Sequence, residues 1–143
     1  DPYKNYKFRV KLAGKYVAGV SRMSPLQPVC TLVKSRQITA TRQHAVIVLE
    51  QGITHDIEFE NWLRSPSSAI SVENAKKDLV IEVYNEAGRL AAAYKVYRCW
   101  VSQFQALPDF DANANAVAIQ HLKLENEGWE RDTTVYEQTE PPP

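Results

Sequence analysis

The chain has 143 residues, of which 44% are hydrophobic and 24% are charged, as is typical of a globular domain with its own core. Its 17 Lys and Arg residues balance its 17 Asp and Glu residues, which argues against a sequence-specific nucleic-acid binder with a basic excess. No apolar run reaches the roughly 18 residues of a membrane span, and the first residues show no signal peptide. We therefore expect one domain that is made in the cytoplasm.

Residues 6–12 alternate between apolar side chains and the cations Lys7, Arg9 and Lys11, which predicts a strand with one buried face and one basic face. A tight turn at 13–14 returns the chain as a second strand over 15–20, completing a hairpin. The basic row is either a solvated sheet face or a surface that faces a channel or a neighbour in an assembly.

The next section is broken by prolines at 25 and 28, and a short third strand is predicted at 29–33. Residues 34–43 are polar and carry the cations Lys34, Arg36 and Arg42 without an acid, which suggests a loop or hairpin arm. The continuous β-branched run at 45–49 predicts a strand covered on both faces.

Residues 52–64 change to a helical period, because Phe59, Trp62 and Leu63 form one apolar stripe. Thr54 is the predicted N-cap, and a serine and a proline end the helix after residue 64. A further short helical turn is possible near 71–77.

Strands are predicted at 77–84 and 90–105, joined by a loop at 85–88 that contains a glycine. Even positions 90–100 would share one face of the second strand, and odd positions 91–101 would share the other. Both faces are semi-apolar, so both should be covered, which hints at contacts between copies of the chain.

The stretch 108–132 begins with a turn-rich run that includes Asp109, Asp111, Asn113 and Asn115, and its later part reads as a strand. The apolar parity slips between Val117 and Ile119 on one side and Leu122 and Leu124 on the other. Either a bulge near 120–121 resets the register, or each half packs against a different layer. A single domain at 1–132 would then be followed by a flexible or partner-docked tail at 133–143.

No constellation of catalytic, cofactor-binding or metal-binding residues is recognisable. The acids and histidine at 55–60 lack a metal-binding spacing, and Asp109 with Asp111 fits turn chemistry better than acid–base catalysis. His44 and His121 stand alone. Cys30 and Cys99 read as buried reduced thiols, with a disulfide as the alternative.

Several segments in order along the chain carry a family resemblance. They are YKFRV at 6–10, GITHDIEF at 52–59, VYNEAG at 83–88, YKV at 94–96, CWV at 99–101 and LPDFDANANAVAIQ at 107–120. In these segments the chain resembles the tail tube proteins of contractile phages and of related bacterial contractile injection systems. The chain departs from that family in its shorter, less glycine-rich arm at 34–43 and in a short segment after the predicted helix.

The resemblance implies a mainly β fold, in which two antiparallel sheets pack as a barrel-like sandwich with one flanking α-helix. It also implies a homo-hexameric ring that stacks into a tube inside a sheath protein, with baseplate and spike proteins at the tip and cargo in the lumen. Such a particle is a phage tail, or an injection particle that is released or membrane-anchored. The subunit would be structural and would catalyse nothing.

Candidate site residues follow from this picture. The expected subunit-interface residues are Lys34, Arg36, Arg42, Asp109, Asp111, Asn113, Asn115 and Trp129. The expected lumen-facing residues are Lys7, Arg9 and Lys11, which would favour acidic cargo. The alternatives are a stand-alone β-sandwich binding module and, third, an enzyme without a familiar motif.

Overall fold

The computed structural model describes residues 2–26, 46–65, 75–107 and 116–135. These residues form seven strands and one helix. The sequence predicts the helix and six of these strands, and β7 was not predicted. The elements are β1 (Phe8–Leu12), β2 (Lys15–Met23), β3 (Ile47–Thr54), α1 (Ile57–Arg64), β4 (Lys77–Tyr84), β5 (Leu90–Ala106), β6 (Val117–Glu125) and β7 (Gly128–Arg131). The strand predicted at 29–33 and the arm at 34–43 lie outside the described residues, as does most of the helical turn expected near 71–77.

The strands form a closed barrel with one additional strand. The pairing order is β4–β1–β2–β3–β6–β5–β7, and a further pairing of β4 with β5 closes the first six strands into a cylinder. Every neighbouring pair is antiparallel. The predicted mainly β, barrel-like architecture with one flanking helix is therefore confirmed.

The core fills the barrel with aliphatic side chains from every strand of the cylinder. Its largest fully buried members are Phe59, Ile47, Leu49, Leu79, Ile81, Ile119, Leu122, Leu124, Val10, Val17, Val20 and Val96. Each such side chain contributes about 1.5–3 kcal/mol relative to exposure. The predicted helix stripe of Phe59, Trp62 and Leu63 is buried in the same cluster, so α1 packs its apolar face on the barrel.

The helix begins two residues later than the sequence predicts. Thr54 is still the last residue of β3, and its hydroxyl donates to the Val17 carbonyl at 2.6 Å. The N-cap is Asp56, whose carboxylate accepts a hydrogen bond from the Phe59 N–H at 2.8 Å. The prediction of Thr54 as the cap was wrong because the ladder with β6 and the hydrogen bond to Val17 hold this residue in the sheet.

A bulge in β5 also corrects the predicted side-chain faces. Arg98 has a positive φ of 48°, and the register of β5 against β4 shifts across it. As a result Val96, Cys99 and Val101 are all buried in the core, although they differ in parity. The Arg98 N–H, which leaves the ladder, donates to the Asp78 carboxylate at 2.8 Å.

The parity slip in β6 is resolved by a second bulge. Gln105 pairs with His121 whereas Ala106 pairs with Ile119, so Gln120 has no partner on β5. The neighbouring residue on β3, Gln51, has a positive φ of 57°. The predicted bulge near 120–121 is confirmed, and the sheet bends along this line.

Gly52 is required where β2 and β3 approach each other at this bend. A Cβ atom on Gly52 would lie 2.3 Å from the Gly19 carbonyl oxygen and 2.4 Å from the Val20 side chain. Backbone cannot yield to such a contact without breaking the local ladder. Close packing therefore requires glycine at position 52. At position 88, in the β4–β5 turn, there is open space for a side chain, but the φ of 79° favours glycine.

We predict that Gly52→Ala lowers the free energy of unfolding by about 3 kcal/mol, the upper part of the overpacking range. The control Gly88→Ala should lose only about 1 kcal/mol, from left-handed strain. Denaturant unfolding followed by circular dichroism measures both values. Equal losses in the two variants would contradict the close approach of β2 and β3.

Candidate assembly surfaces

Four strands of the barrel form a sheet with an unpaired edge at each end. The sheet consists of β2, β3, β6 and the second half of β5. The ladder between β4 and β5 stops at Cys99, so residues 100–106 pair only with β6. The ladder between β1 and β2 stops at Val20, so residues 21–23 of β2 pair at most with β3. Within the described ranges, no strand pairs the other edge of either segment.

The order of this sheet makes the two edges compatible. Four strands in consecutive antiparallel pairings place β5 antiparallel to β2. A second copy in the same orientation can therefore set its β2 beside β5 and continue the antiparallel alternation. By contrast, the free edge of β7 is only four residues long and ends in Glu130 and Arg131, features that discourage edge pairing.

The solvent side of this sheet is a polar face that crosses all four strands. We use this name for Arg22, Glu50, Gln103, Gln105, His121, Lys123 and Glu125. Cross-strand pairing aligns Arg22 with Glu50, Glu50 with His121 and His121 with Gln105. The Glu50 carboxylate lies 3.3 Å from the His121 ring nitrogen Nδ1. Two cations and two carboxylates thus alternate with amides on this face, and its formal charge is balanced.

The opposite side of the barrel carries a tyrosine–carboxylate cluster, made of Arg9, Lys11, Tyr16, Glu82 and Tyr84. Both tyrosine hydroxyls donate to the Glu82 carboxylate at 2.6 Å. The Arg9 guanidinium lies 3.7 Å from the centre of the Tyr84 ring, and Lys11 Nζ is 3.8 Å from Glu82. Burial, followed by the bond to Glu82, raises the pKa of both Tyr16 and Tyr84. Both tyrosines therefore stay protonated donors at neutral pH.

This cluster changes the picture of the basic row on β1. Arg9 is only 8% exposed, and its Nη2 donates to the Lys4 carbonyl at 2.9 Å. Lys11 is half-buried, and Lys7 alone of the three is exposed. The sequence correctly put the three cations on one face, but parity could not reveal that Glu82 and two tyrosines from other strands share it.

Glu127 fastens the loop between β6 and β7 to the β5 bulge. Its carboxylate lies 2.8 Å from Lys76 Nζ and 2.6 Å from Arg98 Nε. Hydrogen bonds from Lys76 and then Arg98 lower the pKa of Glu127 from 4.5 to about 2. Sequence inspection missed this contact, because nothing in the spacing of residues 76, 98 and 127 brings them together.

The sequence matches one protein family over nearly its whole length. The model of the T4-like virus tail tube protein gp19 matches residues 4–130. The chain belongs to this tail tube family. No curated protein matches the chain in sequence.

Solved structures with the same fold agree with the tail tube family. The chain is similar to the tube-terminating cap of the anti-feeding prophage, with a TM-score of 0.54 at 24% identity over 89% of this chain and 88% of the other. It is similar to a chain of the sheath–tube complex of an extracellular contractile injection system, PVC, with a TM-score of 0.55 at 21% identity over 89% and 88%. It is also similar to Hcp1 from Flavobacterium johnsoniae, with a TM-score of 0.51 at 14% identity over 88% and 94%.

Most of the expected interface residues of this tail tube chain lie outside the described residues, namely Lys34, Arg36, Arg42, Asp109, Asp111, Asn113 and Asn115. Trp129 is described and lies in the core cluster at 7% exposure. Its ring packs edge-on against Tyr94 with 5.8 Å between centroids. Most of the Trp129 surface is therefore used within its own subunit, and its role between subunits stays a prediction.

The remaining candidates for chemistry have structural roles. Asp56 caps α1, and its carboxylate forms an ion pair with Lys15 Nζ at 2.9 Å. Glu60 forms an ion pair with Arg64 one turn further along the helix. Cys99 is a buried free thiol, and burial raises its pKa to about 12. Cys30, the other predicted reduced thiol, lies outside the described residues. Across 2–26, 46–65, 75–107 and 116–135, no three metal-ligating side chains cluster and no helix is long and apolar enough to cross a membrane.

We predict that Glu127→Gln removes a pH-dependent part of the stability. The folded-state pKa is lowered, so this contribution is complete above about pH 4.5 and is lost as the pH falls towards 2. Thermal unfolding of wild type and variant should therefore differ most near neutral pH and converge near pH 2. A control, Glu86→Gln in the exposed β4–β5 turn, should stay close to wild type throughout. A constant gap between Glu127→Gln and wild type down to pH 2 would contradict the assignment.

Proposed function

We propose that this chain is the structural subunit of the inner tube of a contractile injection system or phage tail, forming stacked hexameric rings around a central channel. The observation that carries the proposal is the four-stranded sheet whose two compatible edges have no partner strand among the described residues. Membership of the tail tube family supports the same conclusion.

The two edges favour a ring over a two-fold dimer. A two-fold axis brings the same surface of each copy together, whereas a ring joins two different surfaces head to tail. Here residues 100–106 of one copy meet residues 21–23 of the next, and the last copy closes on the first. Closure covers both edges, which in a free monomer invite uncontrolled association. The balanced charge of the chain adds little long-range repulsion against such association.

The partners of the tube follow from the same proposal. The solved sheath–tube complex contains a chain similar to this one, and we infer that a sheath protein surrounds the tube built here. Baseplate and spike proteins would occupy the tip, and cargo would occupy the lumen. The subunit acts mechanically, as a wall that the contracting sheath drives forward, and its role is not enzymatic. The particle would be assembled in the cytoplasm and then released or anchored at a membrane.

Electron microscopy of the purified protein tests this proposal. We expect negative-stain images to show six-fold rings, or tubes stacked from them, with a stain-filled centre. Analytical ultracentrifugation over a concentration series should show the rings growing at the expense of monomer. A monodisperse monomer at every concentration, together with its absence from sheath-bearing particles, would contradict the proposal and favour a binding module.

Hydrogen–deuterium exchange tests which edges meet. We predict that peptides spanning 100–107 and 20–24 gain protection when monomers assemble, because their outward amides acquire partners. A β4 peptide spanning 80–83 is the internal control, since β1 and β5 already pair both of its edges. Assembly without added protection at 100–107 and 20–24 would show that other surfaces hold the ring.

A further inference from the structure

A single methionine stands at one of the two strand edges that have no partner strand among the described residues. Met23 is the last residue of β2 and the only methionine in the chain. We propose that Met23 is an oxidation-sensitive contact in the joint between copies, where β5 of one copy meets β2 of the next. Its reduced thioether packs against Phe104 of the neighbouring copy, and its sulfoxide blocks the joint. Because a joint exists only in an assembled ring, this inference rests on the proposed function.

An apolar row runs across the four-stranded sheet and ends at both of these edges. Met23 pairs with Leu49, which pairs in turn with Leu122. Leu122 then pairs with Phe104 on β5. The two leucines are fully buried, whereas Met23 and Phe104 are only partly buried where they pack against the core. The row therefore has an incompletely covered hydrophobic side chain at each end.

Continuation of the sheet brings the two ends of this row together. Residues that lie opposite each other in an antiparallel ladder point to the same side of the sheet. Met23 and Phe104 both point to the core side, since each is paired with a buried leucine. A neighbouring copy that keeps the two sides of the sheet aligned places its Met23 directly or diagonally opposite Phe104. Both positions are within reach of long and aromatic side chains.

The surface beside Met23 has the shape and lining to receive an aromatic side chain. β1 begins at Phe8, opposite Val20, so it does not cover the last residues of β2. Among the described residues, a groove of about 280 Å³ lies there, lined by Met23, Phe8, Leu26 and Tyr94 and by neighbouring side chains. An aromatic ring that fills an apolar groove is a typical anchor of a protein interface. In the monomer the same groove admits water and small solutes to Met23.

Phe104, on the other edge, is held in place before any joint forms. The Arg64 guanidinium of α1 lies 5.6 Å from the centre of the Phe104 ring. Arg64 is itself held by an ion pair with Glu60 at 2.9 Å. A ring that is already positioned loses little conformational freedom on binding, which favours its use as an anchor.

Oxidation converts this apolar contact into a polar one. A peroxide transfers one oxygen atom to the thioether sulfur, which gives up an electron pair as the O–O bond breaks, and the peroxide is reduced to water or an alcohol. Water hydrates the sulfoxide oxygen in the monomer, and packing against Phe104 removes that water without supplying a donor. Such a loss weakens each joint roughly 5–150-fold. Because a closed ring has a joint between every pair of neighbours, the effect multiplies around the ring.

Treatment of the purified protein with hydrogen peroxide tests the inference. The parent protein carries Cys30→Ser, while Cys99 is buried and is kept. The first variant, Met23→Leu, keeps a hydrophobic side chain of similar volume that peroxide does not oxidise. The matched control combines Met23→Leu with Leu12→Met, which moves the methionine to another partly buried core position at the opposite end of the β1–β2 hairpin. Mass spectrometry measures oxygen uptake, and ultracentrifugation with negative-stain imaging measures ring formation.

We expect oxidation to abolish rings of the parent protein while its circular dichroism spectrum stays native. Reduction by a methionine sulfoxide reductase should restore the rings, since the sulfoxide is reversible. Met23→Leu and the matched control should form rings before and after peroxide treatment. Preformed rings of the parent should take up oxygen at Met23 more slowly than monomer, because the joint covers the sulfur.

Three results would overturn the inference while the reduced protein still forms rings. The first is equal ring formation by the oxidised and reduced parent. The second is loss of rings in the oxidised matched control, since the sulfoxide would then act away from the joint. The third is loss of the native spectrum on oxidation of Met23, since the effect would then lie in folding. Absence of rings from both the reduced parent and Met23→Leu would instead overturn the proposed function, and the inference with it.

Discussion

The whole barrel depends on one strand that changes partners. β5 pairs with β4 up to Cys99 and continues beside β6 from Trp100, so one 17-residue strand belongs to both halves of the fold. The bulge at Arg98 makes this possible. It lets the side chains of Val96, Cys99 and Val101 all point into the core, and it bends the strand where it passes from one half of the fold to the other. The left-handed conformation at Arg98 costs roughly 1–3 kcal/mol, and contacts to Asp78 and Glu127 hold it in place.

The same change of partner creates the strand edges through which we propose that copies assemble. Once β5 leaves β4, no other described strand pairs the outer edge of its second half, and the same holds for the end of β2 beyond the N-terminal hairpin. A sheet that is closed within the subunit on one side and open at its two ends is suited to building a larger cylinder from copies. A chain of a solved sheath–tube complex shares this fold at 21% sequence identity.

Local patterns predicted most elements of the fold. Alternation gave β1 and β4, the apolar stripe gave α1, and the glycine at 88 gave the β4–β5 turn, since each depends on neighbours along the chain. The bulge near Gln120 was also visible, because it shifts apolar parity. The Arg98 bulge was hidden, because both parities of β5 are semi-apolar. The assembly surfaces were harder still: free edges follow from which strands pair, and the burial of Arg9 follows from Glu82 and Tyr84 on another strand.

We propose that this chain builds a tube wall by continuing its sheet from copy to copy. A cryo-electron microscopy reconstruction of tubes formed by the purified protein tests it most directly, at a resolution that separates neighbouring strands. We predict a continuous antiparallel ladder in which residues 100–106 of one subunit pair with residues 21–23 of the next. Subunits joined through any other surface, with these two edges left unpaired, would contradict it.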